Sequence, residues 1–365
     1  MKRELRKLMR QGQALYEARS FDEAYYQFTL AIQIVEEMPD DCDLSEPEIA
    51  ELYLTRGAIL ATEDESIALN DPDIFHQIME DYDLAIDHYP QQVYYRNLRG
   101  RMYLNCAFAN YTEEAKADFA YVLEKDPTDA VALKLMGQAY LRQERYDQAI
   151  GFLSQAIEAH PDTECYLHRA LCYFKDTPPD FEAAAADFGR ALQQFPRLEE
   201  LYLWRAQCFQ GLGRIDDALA EYDRLLEISP GDASHYADRG ALLSSLDPER
   251  ARKDFDRAIE IGNHPLAYNN RACYFQNLGH YEQAAADAKA ALLADPTCYI
   301  AFATLAEIYA LQENRAEFFH FFALALRHYY DNILEVLETP AFAPYLADPQ
   351  LVALIGQQSP KGHMA

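Results

Sequence analysis

The chain has 365 residues, of which 50% are hydrophobic and 25% are charged, so it has enough apolar material for a packed interior and is not intrinsically disordered. The 60 Asp and Glu residues outnumber the 32 Lys and Arg residues, which gives a formal net charge of −28. A surface this acidic is repelled by phosphate backbones and anionic lipid headgroups. We therefore expect neither nucleic acid nor a membrane as a binding partner.

The basic N-terminus, residues 1–10, is not followed by the apolar stretch of a signal peptide, and no stretch reaches the roughly 18 apolar residues of a membrane span. These features predict a cytoplasmic protein. The 7 cysteines are odd in number and form no Cys-x-x-Cys pair, so we expect reduced, buried thiols. Cys165, His168 and Cys172 have the spacing of metal ligands on a helix, but no fourth ligand is evident, and we assign no metal and no cofactor.

The dominant feature of the sequence is an internal repeat of about 34 residues. Position 8 of each repeat is small, and position 11, one helical turn later, is apolar or aromatic. Positions 20 and 27 are usually Ala, with a large residue at position 24 between them. This pattern predicts two amphipathic helices per repeat, helix A and helix B, which approach closely because positions 8 and 20 are small. The position-8 residues are Gly12, Gly57, Gly100, Gly137, Ala170, Ala206, Gly240, Ala272 and Ala306.

The ends of the repeats carry helix-terminating residues. Proline at position 32 ends helix B in six repeats, since it lacks an amide donor and cannot continue a helix. Between the helices, Gly213 and Gly279 suit the left-handed conformation that closes a helix C-terminus. We expect nine repeats at about 5–38, 50–92, 93–129, 130–162, 163–198, 199–232, 233–264, 265–298 and 299–332, followed by capping helices at 333–358 and a disordered tail at 359–365.

These small, aromatic, Ala and Pro positions resemble those of the tetratricopeptide repeats, a family of helix-turn-helix units of about 34 residues. The resemblance covers about residues 5–332, although the single Trp, Trp204, lies at position 6 and not at the family's usual position 4. It implies an all-α fold, a right-handed α-α superhelical solenoid of about nine repeats with a C-terminal helical cap. It also implies a non-catalytic scaffold or adaptor that binds a peptide or protein segment in a concave groove lined mainly by helix A.

Positions 7 and 23 change together from repeat to repeat. Six repeats have Arg at position 7 and an acid at position 23, and the other three have neither. We therefore predict that the two positions touch, and that each acid accepts its guanidinium and fixes the register of helices A and B. The predicted ion pairs are Arg56–Asp81, Arg99–Asp118, Arg169–Asp187, Arg205–Glu221, Arg239–Asp254 and Arg271–Asp287, and the substituted pairs are Gln11–Gln27, Met136–Phe152 and Leu305–Phe321.

By the same resemblance, positions 2, 5, 6, 9, 12 and 13 of helix A line the groove. The third and fourth repeats place a basic, amide-rich stretch there, in which amides would bond a peptide backbone and cations would meet a carboxylate. Ordinary solvated side chains are the alternative interpretation. The candidates are Tyr94, Asn97, Arg101, Asn105, Lys134, Gln138 and Arg142, and Trp204, Gln207, Gln210, Asn269, Asn270, Gln276 and Asn277 would extend the track.

A subset of the family clamps the C-terminal carboxylate of heat-shock chaperones with Lys, Asn and Arg at set positions of three repeats. Asn97 and Arg101 occur in the third repeat, but Leu135, Glu164 and His168 stand where the clamp needs Asn, Lys and Arg. We therefore do not expect a chaperone tail as the ligand.

Residues 36–90 hold 17 acids and a single base, Arg56. This segment is either a solvated surface or an acidic surface that steers a basic partner. The second interpretation leaves open a rival function, an acidic inhibitor or decoy that covers the basic surface of a nucleic-acid-binding protein. A further rival is a structural array that self-associates.

Sequence motifs for chemistry are missing. The chain has no Gly-rich phosphate loop, His-Glu-x-x-His pair, Gly-x-Ser-x-Gly elbow or kinase signature, so we predict that it is not an enzyme. The acids at Glu63, Asp64, Glu65, Asp71 and Asp73 lack the spacing and central Gly of an EF-hand loop, and we assign no calcium site.

Overall fold

The computed structural model describes residues 2–39, 42–63, 69–328, 337 and 339–358. The regular secondary structure of these residues is entirely helical, and helices follow one another as hairpins. The predicted all-α fold built from helix-turn-helix repeats is therefore confirmed. Among the helices that the structure describes, none combines the length and the apolar character that crossing a membrane requires.

The chain divides into two compact units, one ending at Phe195 and the other beginning at Pro196. The N-terminal unit contains the first five repeats, each a helix A followed by a helix B. Its helices are α1 (Lys2–Glu17), α2 (Phe21–Glu37), α3 (Glu46–Glu63), α4 (Pro72–His88), α5 (Val93–Asn105), α6 (Thr112–Lys125), α7 (Ala130–Arg142), α8 (Tyr146–Ala159), α9 (Thr163–Lys175) and α10 (Phe181–Gln194).

In its described residues, the C-terminal unit contains the sixth to ninth repeats and two short helices that follow them. Its helices are α11 (Glu199–Gly211), α12 (Ile215–Ile228), α13 (Ala233–Leu243), α14 (Pro248–Gly262), α15 (Pro265–Asn277), α16 (Tyr281–Ala294), α17 (Ile300–Leu311), α18 (Arg315–His328), a 3-10 helix (Pro340–Tyr345) and α19 (Pro349–Gln358).

The helix ends follow from short-range sequence signals. Asp129 and Asp232 cap α7 and α13, because their carboxylates accept backbone N–H groups of the first turn. Gly213 and Gly279, which connect helix A to helix B, have φ of +69° and +74°. Glu144 occupies the same turn position at φ +57°, so this turn requires the left-handed conformation whichever residue is present.

Helices A and B of one repeat pack at close range through position 8. A Cβ atom added to Gly100 would lie 2.5 Å from the Phe119 ring, and one added to Gly240 would lie 2.6 Å from the Phe255 ring. Both rings are fully buried. The close approach explains why this position is restricted to Gly and Ala.

The helices after the ninth repeat cover α18. Phe342 and Leu351 are buried, and the Phe342 ring centroid lies 5.4 Å from that of Phe318. Arg315 at the start of α18 donates to the Asp348 carboxylate, with Nη2 2.9 Å from Oδ2. Residues 340–355 thus occupy the position predicted for a cap. The other predicted cap residues Ile333, Leu334 and Val336, and the tail 359–365, lie outside the described residues.

Candidate partner-binding groove

Helices A and B are joined by an Arg–carboxylate ion pair in each of six repeats. Arg56 Nη2 lies 2.6 Å from Asp81 Oδ1, and the Asp81 carboxylate is buried. Because the guanidinium donates two or three hydrogen bonds in most of these pairs, it is held in a fixed orientation. The other nitrogen–oxygen distances are Arg99–Asp118 2.5 Å, Arg169–Asp187 2.7 Å, Arg205–Glu221 2.7 Å, Arg239–Asp254 2.7 Å and Arg271–Asp287 2.7 Å.

These arginines are committed to the interior contact. Hydrogen bonds from Arg169 to Asp187 raise the pKa of Arg169, and those from Arg239 to Asp254 raise the pKa of Arg239. A charge stabilised in this way is not free to bind a ligand. The position-7 arginines therefore hold the repeats in register, and the groove has to be sought among the remaining helix A residues.

Some of these arginines also reach the preceding repeat, a contact that was not predicted from the sequence. Arg99 Nη1 lies 2.6 Å from Asp83 of α4, and Arg239 Nη1 lies 2.6 Å from Asp223 of α12. Asp83 and Asp223 both occupy position 25 of the repeat before. An acid at position 25 followed by Arg at position 7 of the next repeat is the signal that would have indicated this link.

Two of the predicted groove cations are bound within the chain. Lys134 Nζ lies 2.8 Å from Asp162 and 2.9 Å from Glu164, and although burial opposes its charge, these hydrogen bonds raise its pKa. Arg142 donates to the Leu104 carbonyl oxygen. Both side chains thus link neighbouring repeats within the N-terminal unit.

The remaining candidates of that unit lie along α5 and α7. Asn97 is 5% exposed and its Nδ2 lies 3.3 Å from Asp129 Oδ1, whereas its own Oδ1 has no hydrogen-bond donor among the described residues. Tyr94 and Arg101 are exposed. Within the described chain, Arg101 forms neither a hydrogen bond nor an ion pair. Arg142 Nη2 lies 3.4 Å from Asn105 Oδ1, and Gln138 Nε2 lies 3.3 Å from His168 Nδ1.

In the C-terminal unit, the candidates concentrate on α15. Asn269 is 2% exposed, and its Oδ1 has no partner in the part of the chain that the structure describes. Asn270 and Asn277 line a cavity of about 150 Å³ beside Phe255 and Cys273. On α11, Trp204 is half-buried and Gln207 is exposed. The asparagine candidates of this unit therefore lie together on α15, where their side-chain amides are the main polar groups.

The cysteine–histidine cluster on α9 has the properties of a packed interior. Cys165 and Cys172 are buried, and burial raises the pKa of Cys165 to about 11 and that of Cys172 to about 12. Burial also lowers the pKa of His168. At neutral pH both thiols stay protonated, a form that binds metals poorly.

A different group, Glu199, Asp232 and His235, offers three ligand atoms within 4.8 Å of one another. No sequence motif indicates this group, because it joins two repeats. His235 is buried, and its Nε2 lies 3.0 Å from Glu199 Oε2. Ser229 donates to the other Glu199 oxygen, and one Asp232 oxygen caps α13. These bonds make the group a polar link between α11 and α13.

The acidic segment 36–90 is partly neutralised by the basic first helix. Lys2 Nζ lies 3.5 Å from Asp43, and Arg6 Nη1 lies 3.0 Å from Glu48. Asp71 caps α4. Three of the acids considered above for calcium lie outside the described part of the structure. They are the Glu63 side chain, Asp64 and Glu65.

With this geometry in place, comparison with known proteins identifies the family. A family model described as "Tetratricopeptide repeat" matches residues 110–171 and 180–246, and a second model of that description matches residues 266–298. The chain contains tetratricopeptide repeats. The resemblance drawn from the sequence is therefore confirmed.

Individual relatives match this chain only in part. Human "Tetratricopeptide repeat protein 13" is 27% identical over 200 residues, which are 52% of this chain and 23% of that protein. Human "Mitochondrial import receptor subunit TOM70" is 22% identical over 172 residues, which are 45% of this chain and 28% of that protein. The matched regions thus span about a quarter of the length of these relatives.

A solved structure shares the fold. It is the C-terminal part of a TPR repeat-containing protein from Cytophaga hutchinsonii, which aligns with a TM-score of 0.52 at 14% identity and covers 69% of this chain and 95% of that chain. At this identity the similarity concerns the fold alone.

Proposed function

We propose that this protein is a non-catalytic scaffold that holds a peptide segment of a partner protein against the helix A surface of the N-terminal unit. Membership of the tetratricopeptide repeat family supports a protein-interaction role, and one relative is named as an import receptor subunit. The observation that carries the proposal is on α5, where exposed Arg101 has no charged partner among the described residues of an acidic protein.

The residues around Arg101 form one helix face. Tyr94, Asn97, Arg101 and Asn105 are spaced by three, four and four residues, which aligns them along α5. Arg101 binds a carboxylate with its planar guanidinium. This face therefore fits an extended segment that carries an acidic side chain or a terminal carboxylate.

Lys134 and Arg142 have a different role in this proposal. Since Asp162 and Glu164 already hold Lys134, and the Leu104 carbonyl holds Arg142, these cations position the neighbouring helices. Arg101 is the residue that binds the carboxylate of the ligand.

The test is selection of peptides from an unbiased display library on the immobilised full chain, followed by fluorescence anisotropy with the selected peptides. We expect enrichment of Asp and Glu, and Arg101→Ala should weaken binding about tenfold because a hydrogen bond to a charged group is lost. Arg10→Ala is the control, since Arg10 is an exposed arginine on α1. Equal effects of the two substitutions, or selection of peptides without acids, would rule the proposal out.

A further inference from the structure

The third repeat has an unusual connection between its two helices. Residues 106–111 separate α5 from α6, whereas residues 143–145 suffice between α7 and α8. The longer loop packs on α4 and on the segment before it. Ala107 N donates to the Leu69 carbonyl at 3.0 Å, and the Phe108 ring lies edge-on to the Phe75 ring of α4 with centroids 5.3 Å apart. The loop is therefore anchored to the second repeat.

An aromatic pocket of about 380 Å³ opens between α4 and this loop. Tyr111 stacks on Phe75 with ring centroids 5.6 Å apart and an interplanar angle of 7°, and Tyr103 lies 5.3 Å from Tyr111. Carboxylates stand at the edge of the pocket. Its lining residues are Phe75, His76, Met79, Glu80, Asp83, Leu84, Tyr103 and Tyr111.

The two carboxylates of the pocket differ in what they bind. Asp83 accepts Arg99 Nη1 at 2.6 Å, and the Arg99 guanidinium lies 6.0 Å from the Tyr103 ring centroid. The Arg99 guanidinium thus already lies between the Tyr103 ring and the Asp83 carboxylate. Glu80 is exposed, and no residue in the described ranges bonds its carboxylate.

Further negative charge continues along the same helix face. Asp73, Glu80 and Asp87 are spaced by seven residues, two helical turns, and all three are exposed. They belong to the acidic segment 36–90. Aromatic faces beside a free carboxylate bind a cationic side chain through cation–π attraction and ion pairing together.

We propose that the pocket between α4 and the loop 106–111 binds a lysine or arginine side chain of a basic partner protein. The cation packs against the Tyr103 and Tyr111 rings and pairs with Glu80. Asp73 and Asp87 attract the partner along α4. This surface uses none of the residues assigned to the groove.

The test is fluorescence anisotropy with a fluorescein-labelled Gly-Ser peptide that contains four lysines, titrated with the full chain at low and high salt. Glu80→Gln should weaken binding about fivefold. The matched control is Glu158→Gln, which removes another exposed acid, from α8, and should change binding less than twofold. Equal weakening by both substitutions would show general electrostatic attraction and overturn the proposal.

The aromatic wall is tested separately. Tyr111→Phe keeps the ring face and should bind within about twofold of the wild type, whereas Tyr111→Leu should lose about tenfold. Thermal melting shows whether each variant is folded. If Tyr111→Leu does not fold, the comparison of Glu80→Gln with Glu158→Gln still decides whether the pocket binds the peptide. Glu80→Gln should change binding of the acidic peptides selected on the groove less than twofold, which separates the pocket from the groove.

A second copy of the chain is the competing occupant, because exposed Arg3 and Arg10 on α1 are also basic. Light scattering distinguishes it. Self-association that grows with wild-type concentration and disappears in Glu80→Gln would assign the pocket to the first helix of another copy and overturn the proposal of a separate partner.

Discussion

The fifth and fourth repeats place opposite kinds of side chains at the same contact between helices A and B. In the fifth repeat, Arg169 Nε lies 2.7 Å from the buried Asp187 carboxylate, and the guanidinium lies 6.0 Å from the Tyr173 ring centroid. Arg169 also donates to Ser154 of the fourth repeat at 3.0 Å. One arginine thus bonds the helix B of its own repeat and that of the repeat before.

In the fourth repeat, Met136 and Phe152 replace the ion pair. The Phe152 ring stacks on Tyr140, the position-11 aromatic, with centroids 5.4 Å apart and an angle of 10°. The ninth repeat does the same with Phe321 and Tyr309, at 5.6 Å and 11°. The aromatic at position 11 accepts either a guanidinium or a ring, and both arrangements preserve the hairpin.

The difference shows what the ion pair contributes. Burying two charges costs desolvation free energy that their attraction only offsets, so an apolar pair stabilises one hairpin equally well. A methionine, however, cannot donate hydrogen bonds to the preceding repeat as Arg169 and Arg239 do. We infer that the ion pair serves the register between repeats.

The largest expected effect comes from breaking one ion pair. Asp187→Leu leaves Arg169 buried without its charge partner and should lower the free energy of unfolding by about 3–5 kcal/mol. The double variant Arg169→Leu, Asp187→Leu imitates the fourth repeat and should lose less. Urea denaturation measures both, and a double variant less stable than Asp187→Leu would contradict the role assigned to the pair.

Close packing at position 8 should matter in both kinds of repeat. Gly100→Ala places a Cβ 2.5 Å from Phe119, and Gly137→Ala places one 2.6 Å from Leu153, so each should cost about 1–3 kcal/mol. Gly151→Ala is the control, because no atom of the described residues lies within 4 Å of the added Cβ, and the helical propensity of Ala should add about 0.5–1 kcal/mol. Equal thermal melting of the three variants would contradict the packing argument.

The ring stack of the fourth repeat is tested by Phe152→Leu. Loss of the contact with Tyr140 should cost about 1 kcal/mol, the usual worth of an aromatic pair. Phe195→Leu, at an exposed phenylalanine, should leave the denaturation midpoint unchanged. If Phe152→Leu also left the denaturation midpoint unchanged, the ring stack would not be the equivalent of the ion pair.

The smallest effect concerns the polar link between α11 and α13. Hydrogen bonds from Ser229 and His235 lower the pKa of Glu199, so its stabilising contribution is present above the ordinary Glu range and is lost as pH falls through the lowered pKa. Glu199→Gln should therefore lower the melting temperature slightly at neutral pH and not at acid pH. Because the carboxylate is 33% exposed, the difference should stay below about 1 kcal/mol. A difference that grows on acidification would contradict the sign.

The features that were predicted best from the sequence are those that recur from repeat to repeat. The period of about 34 residues and the terminal prolines predict the hairpins, and α4, α6, α8, α10, α12 and α16 each end two residues before the proline. The joint change of positions 7 and 23 indicates that Arg56 and Asp81, for example, touch. Repetition within one chain supplies these signals, because the same contact between helices A and B recurs in successive repeats and restricts the same positions.

The candidate sites were less predictable. Lys134 and Arg142 have the same sequence character as Arg101, yet the structure pairs the first two with neighbouring repeats and leaves Arg101 exposed. The pocket beside Glu80 depends on how the loop 106–111 packs on α4. Each arrangement depends on contacts particular to its own repeats, so the repeat pattern of the sequence does not predict it.

The sequence by itself determined that this chain folds into helical hairpins with interior Arg–carboxylate positions, because local periodicity and the small residues at position 8 dictate which faces are buried. Only the tertiary structure decided which charges remain free to bind. Whether a cation is exposed or paired depends on distances of 3 Å or so between residues of different repeats, and these distances are set by the packing of whole helices.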